Sequence, residues 1–144
     1  MRALASCCLL PALFLAACGD GHRGVVVTGG VDTQPVEWSE AEQGQILAMH
    51  QLHSHAGTSA HALRLTGRTD SRVHDTHDLT VMVLSGTADV RLGGKWHNLV
   101  QGDIVEIPRG SVYLLDHTGS APAEFYLIYY PPYDGKDLRM VGGK

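Results

Sequence analysis

Nine histidines are spread over 144 residues, and they are the side chains here best suited to chemistry near neutral pH. A neutral imidazole can carry a proton or bind a divalent ion such as Mn, Fe, Ni, Zn or Cu. The first group is His50, His53, His55 and His61. His53 and His55 are two apart, so a strand would put both on one face, where they could clip a metal ion. The commoner outcome is a solvated polar face on an edge strand, since no Cys, Asp or Glu accompanies them in the sequence. His74 and His77 follow. Counting in twos, His77 shares a face with Leu79, Val81 and Val83, and His74 joins it only if the chain bulges between them. Farther on, Tyr113 and His117 share parity with Leu115. His74, His77, Tyr113 and His117 make a chemically reasonable metal set, the phenolate suiting ferric iron, while Asp78 has the opposite parity to His77. The competing explanation is that these half-apolar side chains are interior residues with one hydrogen bond each. There is no Gly-x-Ser-x-Gly, no P-loop and no pair of dinucleotide-binding glycines.

Such groups need a frame. Ser39-Glu40-Ala41-Glu42 has the form of a capping box, which predicts one short helix running from Ser39 to about Leu52, with Gly44 as its weak point. From about residue 59 the period changes to two. The predicted strands are Ala60–Leu65, Leu79–Leu84, Ala88–Leu92, Lys95–Val100, Ile104–Ile107, Val112–Leu115 and Glu124–Tyr130. Gly86, Gly93-Gly94, Gly102-Asp103, Pro108-Arg109-Gly110 and Gly119-Ser120 punctuate them. Many short strands with almost no helix between them imply an antiparallel sandwich or barrel. The run Phe125-Tyr126 and Tyr129-Tyr130 reads as a core strand ended by Pro131-Pro132, and the tail from Tyr133 reads as loosely packed.

The amino terminus speaks of compartment. Arg2 is followed by an uncharged stretch from Ala3 to Ala17, which has the length of a secretory leader and is short for a membrane span. Leu15-Ala16-Ala17-Cys18 resembles the bacterial lipobox, in which a cleavage site is followed at once by a Cys that receives lipid. Cys7, Cys8 and Cys18 are the only cysteines, so cleavage after Ala17 leaves one thiol and no internal disulfide. The chain thus divides into a leader at 1–17, a lipidated Cys18 with a tether to residue 37, and one domain from 38 to 144. That predicts a lipid-anchored protein of the cell envelope, on the periplasmic or extracytoplasmic face. A net charge of −4 without a basic patch argues against a nucleic-acid partner.

Gly102-Asp103-Ile104-Val105-Glu106-Ile107-Pro108-Arg109-Gly110 is similar to the second sequence motif of the cupins, and Val81 to Gly86 resembles the end of the first. The short segment from Thr87 to Gln101 between them is similar to that of type 2 cupins. This resemblance covers roughly residues 60–130 and implies an all-β fold, a small jelly-roll barrel with one short helix. It also implies where a metal would sit. Cupins that bind metal use two His and a Glu of the first motif and one His of the second. Counted onto this sequence, those positions hold Arg72, His74, Leu79 and Tyr113, with His117 at the position of the later Asn. His74 fits only with the longer family spacer.

Three readings follow from this. The first is a small-ligand-binding module with a non-standard or vacant divalent-metal site in the barrel mouth. The second is a metal-dependent enzyme of the dioxygenase or isomerase type. The third is an extracytoplasmic metal-binding protein using the His-rich front half. Leu79 and Tyr113 favour the first and the density of His favours the others; the fold by itself decides nothing. By resemblance to single-domain cupins, a homodimer through an outer sheet face such as Glu124–Tyr130 is expected.

Overall fold

The computed structural model describes residues 36–142, together with the backbone of two short strands, β1 (Val27–Thr28) and β2 (Val31–Asp32). The segments read from the sequence as a leader and a tether, with Cys18, lie almost wholly outside the described residues. Two five-stranded antiparallel sheets face each other. One has the order β12 (Leu138–Met140), β5 (Arg72–His74), β10 (Tyr113–His117), β7 (Ala88–Leu92), β8 (Lys95–Leu99). The other runs β3 (Leu47–Ser54), β4 (Ser59–Leu65), β11 (Ala123–Tyr130), β6 (Asp78–Ser85), β9 (Ile104–Ile107). The predicted jelly roll is what forms.

The core sits between the sheets because apolar residues alternate along the strands. Leu79, Val81 and Val83 of β6 meet Phe125, Leu127 and Tyr129 of β11, and Val90 and Leu115 close the cluster from the opposite sheet. Their outward neighbours are polar or partly exposed, as a half-buried strand requires. Gly93 and Gly94 both have positive φ and make the tight hairpin between β7 and β8. Gly86 is needed for a second reason: a Cβ there would lie 2.7 Å from the Ala123 Cα.

Three sequence expectations need correction. The helix α1 spans only Glu40–Gln43. Its capping box is present, with Ser39 accepting from the Glu42 amide and Glu42 accepting from the Ser39 amide, but Gly44 ends it. Beyond it, β3 pairs with β4, placing Leu47 opposite Leu65 and Met49 opposite Leu63, where both pack against the core. A helix continued to Leu52 would give up that ladder and its burial. Second, His74 and His77 do not share a bulged strand. His74 ends β5 in one sheet, and His77 precedes β6 in the other. Third, the tail is ordered: β12 pairs with β5, setting Leu138 opposite His74 and Met140 opposite Arg72.

Candidate functional site

The site is built where β5 crosses to β6 at one end of the barrel. Arg72 is the cross-strand partner of Tyr113, so both side chains project from the same face, and His74 follows two residues on. Val73 points the other way. Gly110 donates its amide to the His74 carbonyl, pinning the end of β5 to the turn that follows β9. Asp78 at the start of β6 accepts from the Arg109 amide and guanidinium and holds the same turn from its other side.

The tail then closes the end. Asp137 receives hydrogen bonds from the backbone amides of Asp75, Thr76 and His77, and from His77 Nδ1 at 2.6 Å. Burial pushes this carboxyl up, but the bonds from His77, Thr76 and Asp75 outweigh it and hold the group well below the usual carboxylate range. His77 Nε2 lies 3.2 Å from the Pro132 carbonyl, so both of its ring nitrogens are engaged. Outside this clasp, Arg139 forms an ion pair with Asp75.

His74 differs. It is 4% exposed, and its Nδ1 has no hydrogen-bond partner among the described residues; the nearest Asp137 oxygen is 3.8 Å away. Burial pulls its pKa down to about 4, so the ring is neutral at pH 7. Aromatic rings surround it. Tyr113 stacks on it, while Tyr129 and Tyr133 present edges at 5.2 and 5.4 Å between centroids. Burial raises the Tyr113 hydroxyl to about 12 and that of Tyr129 higher still, so both stay protonated. These groups border a partly open cavity of about 60 Å³. Arg72, His74, Tyr113, Tyr129 and Tyr133 are its polar wall, and Leu47, Leu63, Leu79 and Leu127 are part of the apolar remainder.

The structure therefore brings His74, His77 and Tyr113 to one end of the barrel and leaves His117 apart. His117 lies four residues along β10 from Tyr113, paired with Ala88, and its Nε2 bonds to the Ala121 carbonyl at 2.7 Å. Asp78 is spent on Arg109. Asp137, which sequence reasoning missed, lies 60 residues from His77 in a polar tail; the alternation of Leu138 and Met140 was its only signal.

Can this end hold a metal ion? The positions that the family resemblance marks for ligands hold a guanidinium, one imidazole, a leucine and a phenol, and all four residues line the cavity. Leu79 offers no donor and Arg72 repels a cation, so those positions do not fit an ion. Beside them, His74, His77 and Asp137 place ligand atoms within 4.8 Å of one another. The donor types suit a divalent ion, but Asp137 and His77 are already hydrogen-bonded as described above.

The first histidine group is partnered differently. His50 pairs with Glu42, which α1 brings to it, and its ring lies 4.8 Å from that of Trp38. The rings of His53 and His55 are 4.9 Å apart, and His53 Nε2 meets the Tyr126 hydroxyl at 3.2 Å. His61 points into the barrel, bonded to Ser59 and edge-on to Tyr129.

Residues 65–129 match the family model of the cupin domain. An uncharacterized protein of Aquifex aeolicus (strain VF5) is 41% identical over 68 residues, which is 47% of this chain and 55% of that one. The chain thus spans about half the length of that relative. Among solved structures, an uncharacterized conserved protein with a double-stranded β-helix domain from Klebsiella pneumoniae superposes with a TM-score of 0.61 at 21% identity, over 75% of this chain and 86% of that one. RemF, a polyketide cyclase from Streptomyces resistomycificus, gives 0.60 at 15% identity, over 69% and 74%. KdgF from Halomonas sp. gives 0.59 at 18% identity, over 69% and 89%. At these identities the likeness is one of fold.

Proposed function

We propose that the chain is a cupin of the cell envelope, lipid-anchored through Cys18, whose barrel binds a small ligand in the cavity beside His74. The observation that carries the ligand reading is a small, mostly apolar cavity with a few polar groups on its wall, among them an imidazole nitrogen buried without a partner among the described residues. A buried polar atom left unpaired costs about 1–3 kcal/mol, and a ligand that pairs it recovers that cost. Calorimetry of the full-length protein in detergent against a library of small metabolites tests the reading. Saturable binding lost in Tyr129→Trp, which fills the cavity, supports it; binding that persists in that variant refutes it.

The anchor rests on Leu15-Ala16-Ala17-Cys18. Cys18→Ser is expected to release the protein from the membrane fraction, and an unmodified mature amino terminus elsewhere, seen by mass spectrometry, refutes lipidation. By family resemblance two copies pair through the outer face of β11, where Ile128 and Tyr130 are exposed. Light scattering that gives a monomer at high micromolar concentration refutes that pairing.

A second reading is favoured by the approach of His74, His77 and Asp137: a divalent ion bound off the barrel centre. Such an ion would stabilise the fold by about 2.7 kcal/mol at a hundredfold excess over its Kd. His77→Ala would abolish that gain, whereas His53→Ala would not. A Tm indifferent to Mn, Fe, Ni, Zn and Cu ends this reading and leaves the ligand-binding barrel.

A further inference from the structure

We infer that the ligand of this cavity is a short-chain carboxylate, its anionic head seated against Arg72. This rests on the reading of the barrel as a ligand site and adds charge and size to it.

Arg72 is carried inward by its register with Tyr113, and it borders the cavity. Its Nε donates to the Asp70 carbonyl, and no carboxylate lies within ion-pair distance of it among the described residues. The nearby acids are committed elsewhere: Asp75 to Arg139, Asp137 to His77 and three backbone amides. The guanidinium thus brings a fixed positive charge and unused donors to a largely closed space, which favours a planar oxyanion.

The remaining polar wall is donor-rich as well. Tyr113, Tyr129 and Tyr133 line the cavity, and none of their hydroxyls has a hydrogen-bond partner among the described residues. A phenol can donate to a carboxylate oxygen, and the neutral His74 ring can donate from one nitrogen. Among the described residues, no carboxylate lines the cavity to accept these bonds. The opposite wall, with Leu47, Leu63, Leu79 and Leu127, is suited to a hydrocarbon tail rather than to a second charged group. A volume of about 60 Å³ favours a ligand of few non-hydrogen atoms.

The test uses full-length protein in detergent, with EDTA present, titrated calorimetrically with formate, acetate, propionate and butyrate. Parallel arms use the matching amides, propylamine, inorganic phosphate and sulfate. The expected result is saturable binding of the acids with an optimum in chain length and a preference over the amides of about tenfold or more. Arg72→Gln should abolish that preference, and Arg72→Lys, which keeps the charge but loses the fork, should retain part of it. Tyr113→Phe should weaken the acids more than the amides. If Arg72→Gln does not fold, judged by circular dichroism, the wild-type comparison and Arg72→Lys still decide. Amides binding as tightly as acids, or phosphate and sulfate binding as tightly as propionate, overturn the carboxylate inference while leaving the ligand site standing. Acids binding with their preference intact in Arg72→Gln also overturn it. No binding in any arm overturns the carboxylate, and binding of other small metabolites then decides the fate of the site itself.

Discussion

Two sets of histidines, similar in sequence, live in opposite surroundings. His50, His53 and His55 lie on β3 or just beyond it, each at least partly open to solvent, and two of them meet a polar partner from a neighbouring element, Glu42 or Tyr126. His74 and His77 lie at the closed end of the barrel, almost without exposure. There a single carboxylate, Asp137, hydrogen-bonds one imidazole and comes no nearer than 3.8 Å to the other. The difference teaches that the density of a residue type marks a region but not its chemistry. Burial and the supply of acceptors set the chemistry, and both come from elements distant in sequence.

Removing the shared acceptor tests this contrast most severely. Asp137→Ala should cost about 1–3 kcal/mol, because it removes the acceptor of the buried His77 ring and of three backbone amides at the rim. Glu42→Ala should shift the denaturant midpoint far less, since its bonds to His50 and to the Ser39 amide of the capping box are partly open to water. Equal losses in urea melts of the two variants would erase the distinction between the regions.

Acid sharpens it. The His74 pKa falls from 6.5 to about 4 on folding, so between those values the unfolded chain takes up a proton that the folded chain refuses. Stability should be undiminished above pH 6.5 and decline as the pH drops toward 4. The expected loss is on the order of 2 kcal/mol after allowance for solvent at the cavity edge. His61, also lowered by burial, adds in the same direction. His74→Phe should flatten part of this slope in pH-dependent melts, and His55→Gln should leave it intact.

The smallest effect concerns the outer group alone. His53→Ala removes a hydrogen bond to Tyr126 at a half-buried place and should cost about 0.5–1.5 kcal/mol. Carboxylate affinity should not change in that variant, because the side chain lies on the outer face of its sheet with Ala60, its partner in register. A loss of affinity there would connect the two regions after all.

Much of the fold was legible before any coordinates. Strands β4 and β6 to β11 announced themselves as short aliphatic and β-branched runs bounded by glycine and proline turns, and the capping box of α1 could be read from Ser39 and Glu42. The failures have physical causes. The sequence after Gly44 carries helical and extended signals together, and only β4, a partner of later sequence, decides for the strand. Strand β5 is three residues long, too short to show a period. Strand β12 reads Leu-Arg-Met in a polar tail and forms because β5 offers it a free edge. Of the site, His74, His77 and Tyr113 could be named from parity and from family resemblance. Asp137 could not, since its value comes from amides that converge only after the chain has folded.

The clasp at Asp137 also has a kinetic meaning. Tyr133 and Leu138 are part of the cavity wall, and the carboxylate between them is tied to the turn that joins the two sheets. If the cavity is filled from that side, its occupant would have to wait for the tail to lift. Occupants of different affinity would then share one slow exchange rate, set by how often the clasp opens rather than by how well each is held.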